Sequence, residues 1–178
     1  MGRFSRDDAA MLTAFNWAAR SPCCYFWVGC CITSDRVISV GYNGGPSGTP
    51  NCIDTGCKKD LGQSCTAVHA EDNAMFFAGD PNQLVGSTLY VTVQPCVSCS
   101  SKIIGRKIAR VVAATPYCRI SVGCDNRQDE SEQARNWLID SGVQFDWYKP
   151  EHDFAKQLFD GYLNHIEQAL DRYRTPES

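Results

Sequence analysis

His69, Ala70 and Glu71 stand together in the chain, and Pro95-Cys96-Val97-Ser98-Cys99 follows further on. Cysteines three apart at the first turn of a helix aim their sulfurs at one spot, as a tetrahedral zinc site requires. A histidine at the start of a second helix adds a third donor. Three protein ligands leave one position for water, which marks a catalytic centre and not a closed structural one. Helix starts suit this chemistry, because their unpaired amides favour thiolate. Glu71, two residues after His69, is placed to reach the metal-bound water and not the metal itself. Zinc lowers the pKa of such a water toward roughly 7. The bland alternative is a zinc knuckle, or buried thiols beside an incidental histidine, and a lone Cys-x-x-Cys would fit it better. A purely structural site has no use for Glu71, so hydrolytic chemistry is expected. The other two histidines, His152 and His165, fall in the carboxyl-terminal segment, where surface or core roles are expected.

Stepping along the chain gives the elements that must hold these groups. Ser5 caps a helix to about Arg20, with Asp7 and Asp8 favourable in its first turn. Tyr25 to Thr33 and Val37 to Tyr42 are apolar runs joined at Ser34-Asp35-Arg36, a hairpin pattern. Gly41 to Pro50 holds four glycines and two prolines and reads as a loop continuing to about Cys65. Helices are then expected at Val68 to Ala78, from Pro95 to about Gly105, and at Glu130 to Asp140. Strands are expected at Thr88 to Val93, Arg110 to Ala114 and Val143 to Trp147, and a last amphipathic helix at about 153–172. The order α-β-β-α-β-α-β-α-β-α predicts an α/β fold: one domain over 1–178, a three-layer α-β-α sandwich with a five-stranded mixed sheet flanked by helices.

Composition narrows the function classes. The 43% apolar and 21% charged make-up suits a globular protein, and no apolar run nears the roughly 18 residues that span a bilayer. No apolar signal core follows Met1, and Arg6 spoils a myristoylation motif, so a cytoplasmic protein without membrane contact is expected. Net charge is −3 and no basic stripe appears, which counts against a polynucleotide substrate. Eleven cysteines is an odd number; without a signal peptide, metal ligands and small buried hydrophobes are the productive readings.

His-x-Glu with Pro-Cys-x-x-Cys is the signature of the zinc deaminases of nucleobases, where hydroxide attacks C4 of cytosine and the glutamate carries protons to N3 and to departing ammonia. From about Ala18 to Phe145 the chain resembles the deoxycytidylate (dCMP) deaminases of the cytidine deaminase superfamily. The resemblance rests on Val28-Gly29, Gly41-Tyr42-Asn43-Gly44-Gly45-Pro46-Ser47-Gly48, His69-Ala70-Glu71-Asp72-Asn73-Ala74, and Leu89-Tyr90-Val91-Thr92 leading into Pro95. It implies a cytidine deaminase-like fold that converts dCMP to dUMP for thymidylate synthesis, with Zn(2+) on His69, Cys96 and Cys99 and Glu71 as the catalytic acid and base. It further implies substrate contacts at Asn43 (the sugar), Ala70 and Tyr117. The loop Gly44, Gly45, Pro46, Ser47, Gly48 resembles the segment that binds dCTP (activator) or dTTP (inhibitor) with Mg(2+) between subunits of a homohexamer. Its plain reading is a turn. Cys23, Cys52, Cys57 and Cys65 are similar in placement to a second, non-catalytic zinc site, with Cys24 able to replace Cys23; free thiols are the alternative. Cys30, Cys31, Cys118 and Cys124 suit buried positions better.

Departures from the family pattern are Gln94 before the Pro-Cys pair, Lys107 in place of a glycine at a helix end, and Cys30-Cys31 in the first strand. Three rival readings stay open: the same chemistry on dCTP, a modified dCMP or a nucleoside; a nucleic-acid base deaminase; and a silent zinc-bound interaction module.

Overall fold

The computed structural model describes residues 2–116 and 127–174. Tyr117, Cys118 and Cys124, singled out above, lie outside them. Helix α1 spans Arg6–Ala18, and its Ser5 cap accepts from Asp8 N at 3.0 Å. Strands β1 (Gly29–Thr33) and β2 (Val37–Tyr42) form the expected hairpin. Helix α2 (Cys52–Thr55) and a 3₁₀ turn at Lys58–Leu61 break a stretch expected to be plain loop. Then come α3 (Ala70–Phe76), β3 (Thr88–Val93), α4 (Val97–Gly105), β4 (Arg110–Thr115), α5 (Arg127–Asp140), β5 (Gln144–Trp147) and α6 (Asp153–Arg174).

The sheet order is β2-β1-β3-β4-β5. The β1 strand pairs antiparallel with β2 and β3, while β3-β4 and β4-β5 are parallel. Period-two alternation splits the strands between two cores. Ile32, Leu89, Val91, Val111 and Ala113 face one core, closed by Ala70 and Ala74 of α3, Ile103 of α4 and Leu138 of α5. Cys31, Tyr90, Val112 and Ala114 face the other, closed by Met11 and Ala14 of α1 with Phe159 of α6. Each fully buried aliphatic chain contributes about 1.5–3 kcal/mol, so the two layers hold the sheet from both sides. Cys30 and Cys31 are buried as expected and serve as small hydrophobes.

Two glycines set how closely helices approach. A Cβ on Gly29 would sit 1.9 Å from Ala14 O, and one on Gly41 would sit 2.3 Å from Ala70 O. Several boundaries differ from the sequence expectation by one to four residues, and two of them have a visible local cause. The first strand begins at Gly29, because residues 26–28 are held mainly by side-chain bonds, with a backbone bond from Asn43 N to Val28 O (3.1 Å) added. Helix α3 starts at Ala70, because Val68 is spent in an antiparallel bridge to Gly44.

Asp7 and Asp8 do more than complement a helix dipole. Asp7 takes a bidentate bond from Arg110 (2.9 and 2.8 Å) and one from the Tyr90 hydroxyl (2.7 Å), and Arg110 also reaches Asp146 at 2.6 Å. Arg110 is therefore an ion-pair hub at the start of β4. Asp8, fully buried, accepts from Tyr148 Oη at 2.7 Å and from Glu151 N at 3.2 Å.

Candidate active site

Antiparallel pairing of β1 with β2 and β3 brings Gly29 and the carboxyl ends of β2, β3 and β4 to one end of the sheet. Open α/β sheets bind ligands beyond the carboxyl ends of their strands. Here the chain runs from β3 through buried Gln94 and Pro95 into α4, whose N-cap is Cys96; the N-cap of α3 is His69. Neither cap side chain bonds its own helix, so both are left for another partner. Cys99, one turn into α4, completes the group. His69 Nδ1 lies 3.6 Å from Cys96 Sγ and 3.3 Å from Cys99 Sγ. Among the described residues, these three form the group of potential metal ligands whose donor atoms all lie within 4.8 Å of one another.

The donor set fits zinc: one imidazole and two soft sulfurs at helix starts. A hydrogen bond from the Cys99 thiol holds Cys96 down to about 3, and the same bond, with burial, pushes Cys99 well above the thiol range. Metal binding requires the thiolate form of both and displaces the remaining thiol proton. Bonding to Cys96 also raises His69. Glu71, only 3% exposed, is pushed up to about 7 by desolvation, with His69 opposing. A carboxyl poised near neutrality can both take and give a proton. Asp72 of α3 pairs with Lys102 of α4 and ties the two ligand-bearing helices; no local spacing in the sequence marks that pair.

Asn43 lies beside this group through the backbone. Gly44 N donates to Val68 O at 3.1 Å and Val68 N to Gly44 O at 2.8 Å, so the residue before one bridge partner neighbours the residue after the other, His69. The Asn43 side chain, 8% exposed, takes a bond from Val28 N (2.8 Å) and gives one to Phe26 O (2.9 Å). Its Nδ2 carries a second hydrogen that no described protein atom takes up. Ala70 is fully buried against Gly41. A cleft of about 670 Å³ borders His69 and Cys96, with Asp72, Ser98, Glu130 and Gln133 in its wall.

Gln94 does not project into open space. Its Nε2 donates to Ser131 O at 2.6 Å and its Oε1 accepts from Ser131 Oγ at 2.9 Å, stapling α5 to the turn before Cys96. Lys107 adopts φ 55°, a left-handed conformation that favours glycine.

The loop Gly44, Gly45, Pro46, Ser47, Gly48 lines a separate cleft of about 940 Å³ with Lys102 and Arg106, beside the stacked rings of Trp17 and Tyr42. Cys23, Cys52, Cys57 and Cys65 line a common cavity of about 20 Å³, but they are not gathered to within 4.8 Å as the His69 group is. Cys24 turns its sulfur to Cys52 O at 3.3 Å.

A mixed five-stranded sheet between helices, carrying an imidazole-dithiol cluster and a buried carboxyl at one end, defines a zinc-binding protein of cytidine deaminase-like fold. Residues 4–115 match the cytidine and deoxycytidylate deaminase zinc-binding region, and the chain belongs to that family. It is 39% identical over 122 residues to a deoxycytidylate deaminase of Saccharomyces cerevisiae, covering 65% of this chain and 39% of that protein. It is 37% identical over 126 residues to the deoxycytidylate deaminase of Mycobacterium phage D29, covering 63% of this chain and 96% of the phage protein. The dCMP deaminase of cyanophage S-TIM5, solved with dCMP and dUMP, superposes with a TM-score of 0.64 at 25% identity over 82% of this chain and 100% of that one. The chain thus spans well under half the length of its budding-yeast relative. No helix among the described residues is long and apolar enough to cross a membrane.

Proposed function

We propose that the chain hydrolyses dCMP to dUMP and ammonia, with His69, Cys96 and Cys99 holding zinc. The observation that carries this reading is the convergence of those three donors beside buried Glu71 at the ligand-binding end of the sheet. Zinc there supplies Lewis acidity that brings the pKa of a water toward about 7. Glu71 takes a proton from the attacking water and passes it to N3 of the pyrimidine. The carboxylate then takes the remaining proton of the new C4 hydroxyl and gives it to the 4-amino group, so that C4=O forms as the C4–N bond breaks and ammonia leaves. Asn43 offers its spare Nδ2 hydrogen to a sugar oxygen, and Ala70, at the start of α3, backs the pocket. Tyr117 is assigned to the substrate on the family resemblance. The similarity to dCMP deaminases from yeast and two phages supports a deoxynucleotide substrate.

Ammonia release with dCMP, dCTP, deoxycytidine and a cytosine-containing oligonucleotide, each added alone, tests the substrate. The reading requires dCMP to be turned over best. Preference for any of the others would overturn the choice of substrate, and no release from any would overturn the chemistry.

The cleft beside Gly44 to Gly48 combines two cations with an aromatic stack. We assign it to dCTP-Mg(2+) as activator and dTTP as inhibitor of a cytoplasmic homohexamer. Phe76 and Phe77, 79% and 65% exposed beside that cleft, suit contact with a neighbouring copy. Cys23, Cys52, Cys57 and Cys65 are assigned to a second zinc, whose binding would draw the cavity walls together and offset the ordering entropy of the loop.

A further inference from the structure

The backbone just before β1 is held from two sides. From within the pocket edge, Asn43 grips Phe26 O and Val28 N, as described above. From the opposite layer, Tyr162 of α6 donates to Trp27 O at 2.6 Å, the carbonyl between those two grips. The Tyr162 oxygen also hydrogen-bonds with Thr92 Oγ1 at 2.7 Å, and Thr92 Oγ1 accepts from Gly29 N at 3.0 Å. One phenol therefore joins the entry to β1 with the end of β3, four residues before Cys96. His165, one helical step from Tyr162, stacks on the Trp27 indole with ring centroids 4.0 Å apart and planes 25° apart. The indole Nε1 is tied in turn to Cys23 O at 3.1 Å.

Nothing in the metal cluster needs these contacts. His69, Glu71, Cys96 and Cys99 belong to α3 and α4, on the other face of the sheet from α6. What the contacts fix is the height of residues 26–29, and through Val28 and Phe26 the orientation of the Asn43 amide, which keeps one Nδ2 hydrogen for a ligand. Burial pushes the Tyr162 hydroxyl up, so it stays neutral and keeps its bonding pattern across the working pH range.

We propose that Tyr162 is a positioning residue for nucleotide binding: α6 clasps the backbone of residues 26–29 so that Asn43 presents its amide to the substrate. This rests on the dCMP reading for its choice of ligand, though not for its geometry. An amide displaced by a fraction of an ångström weakens ground-state binding and leaves the proton transfers of Glu71 alone, so the effect belongs in KM.

The test is Tyr162→Phe, which keeps the ring and its packing and removes only the hydroxyl. Steady-state kinetics with dCMP should show KM raised about tenfold with kcat held within about twofold. Hydrogen exchange should quicken at the amides of Trp27, Val28 and Gly29, with β4 unchanged and the melting temperature nearly so. An unchanged KM overturns the proposal even if exchange quickens, because the clasp would then serve the fold and not the pocket. A fall in kcat with KM unchanged overturns it as well. If the wild-type protein does not turn over dCMP, the dCMP reading fails separately, and KM for whichever of dCTP, deoxycytidine or a cytosine-containing oligonucleotide it does turn over takes its place: a rise of about tenfold in Tyr162→Phe supports the clasp, and no change refutes it.

Discussion

Burial raises each of the thiols in and beside the site, and hydrogen bonding decides which of them is brought down. Cys30 and Cys31 are both held up by desolvation, Cys31 to about 12, which leaves them inert thiols in the core. Cys96, with a thiol and an imidazole donating to it, is held down. Selection of the metal ligands among so many cysteines is thus made by position at helix starts. Cys99→Ser should lower zinc affinity by more than about a hundredfold, read by competition with a chromogenic chelator, while Cys31→Ser should leave it unchanged. Lys107 makes a second prediction. A non-glycine residue at left-handed φ is strained by about 1 kcal/mol, so Lys107→Gly should raise the thermal midpoint slightly, by a few degrees at most. His69, Glu71, Cys96 and Cys99 were legible because their chemistry is local: donors one helical turn apart, a carboxylate two residues from an imidazole. Asp7, Asp8, Gln94 and Tyr162 were not, because each finds its partner on an element far along the chain, where spacing carries no signal.

Among the elements, α3 depends most on a single close approach. With Gly41 beneath it, a methyl group at that position would meet backbone atoms of Ala70 and Ala74 at 2.3 and 2.5 Å. Backbone cannot yield as a side chain does, so Gly41→Ala should cost about 1–3 kcal/mol. It should also lower activity by more than its loss of stability explains, since α3 carries both His69 and Glu71. Denaturant midpoints and kcat measured on the same samples separate the two. Docking of α1 has an acid limit. Arg110 holds Asp7 below the ordinary aspartate value, so the contribution is complete above the unfolded pKa near 3.9 and is lost as pH falls through the lower folded value. Between about pH 5 and about pH 3 the wild type should lose more stability than Asp7→Asn, which lacks that proton uptake. Long periodic elements such as β3, with its expected bounds, and α6 were readable from sequence. The short helix at Cys52–Thr55 and the 3₁₀ turn were not, because one or two turns give no periodicity to detect.

For the whole molecule, the alternation that divides the strands between two cores fixes a three-layer sandwich, and the mixed strand order follows from a hairpin joined to two parallel crossovers. That much was readable from the order of elements. The number of subunits and the filling of the second cysteine group were not, since neither leaves a pattern in one sequence. Elemental analysis of the purified protein should give two zinc ions per chain, falling to one in Cys52→Ser with activity retained in the remaining folded protein. Sedimentation should give a mass near six copies of the 19.7 kDa chain. The most direct measurement is ammonia release from dCMP by the zinc-loaded protein beside its Glu71→Gln variant, with metal content determined on both. The wild type should turn over, and the variant should keep its zinc while losing about 10²- to 10⁴-fold in kcat. Full turnover by Glu71→Gln, or an active wild type that holds no zinc on His69, Cys96 and Cys99, would contradict the account.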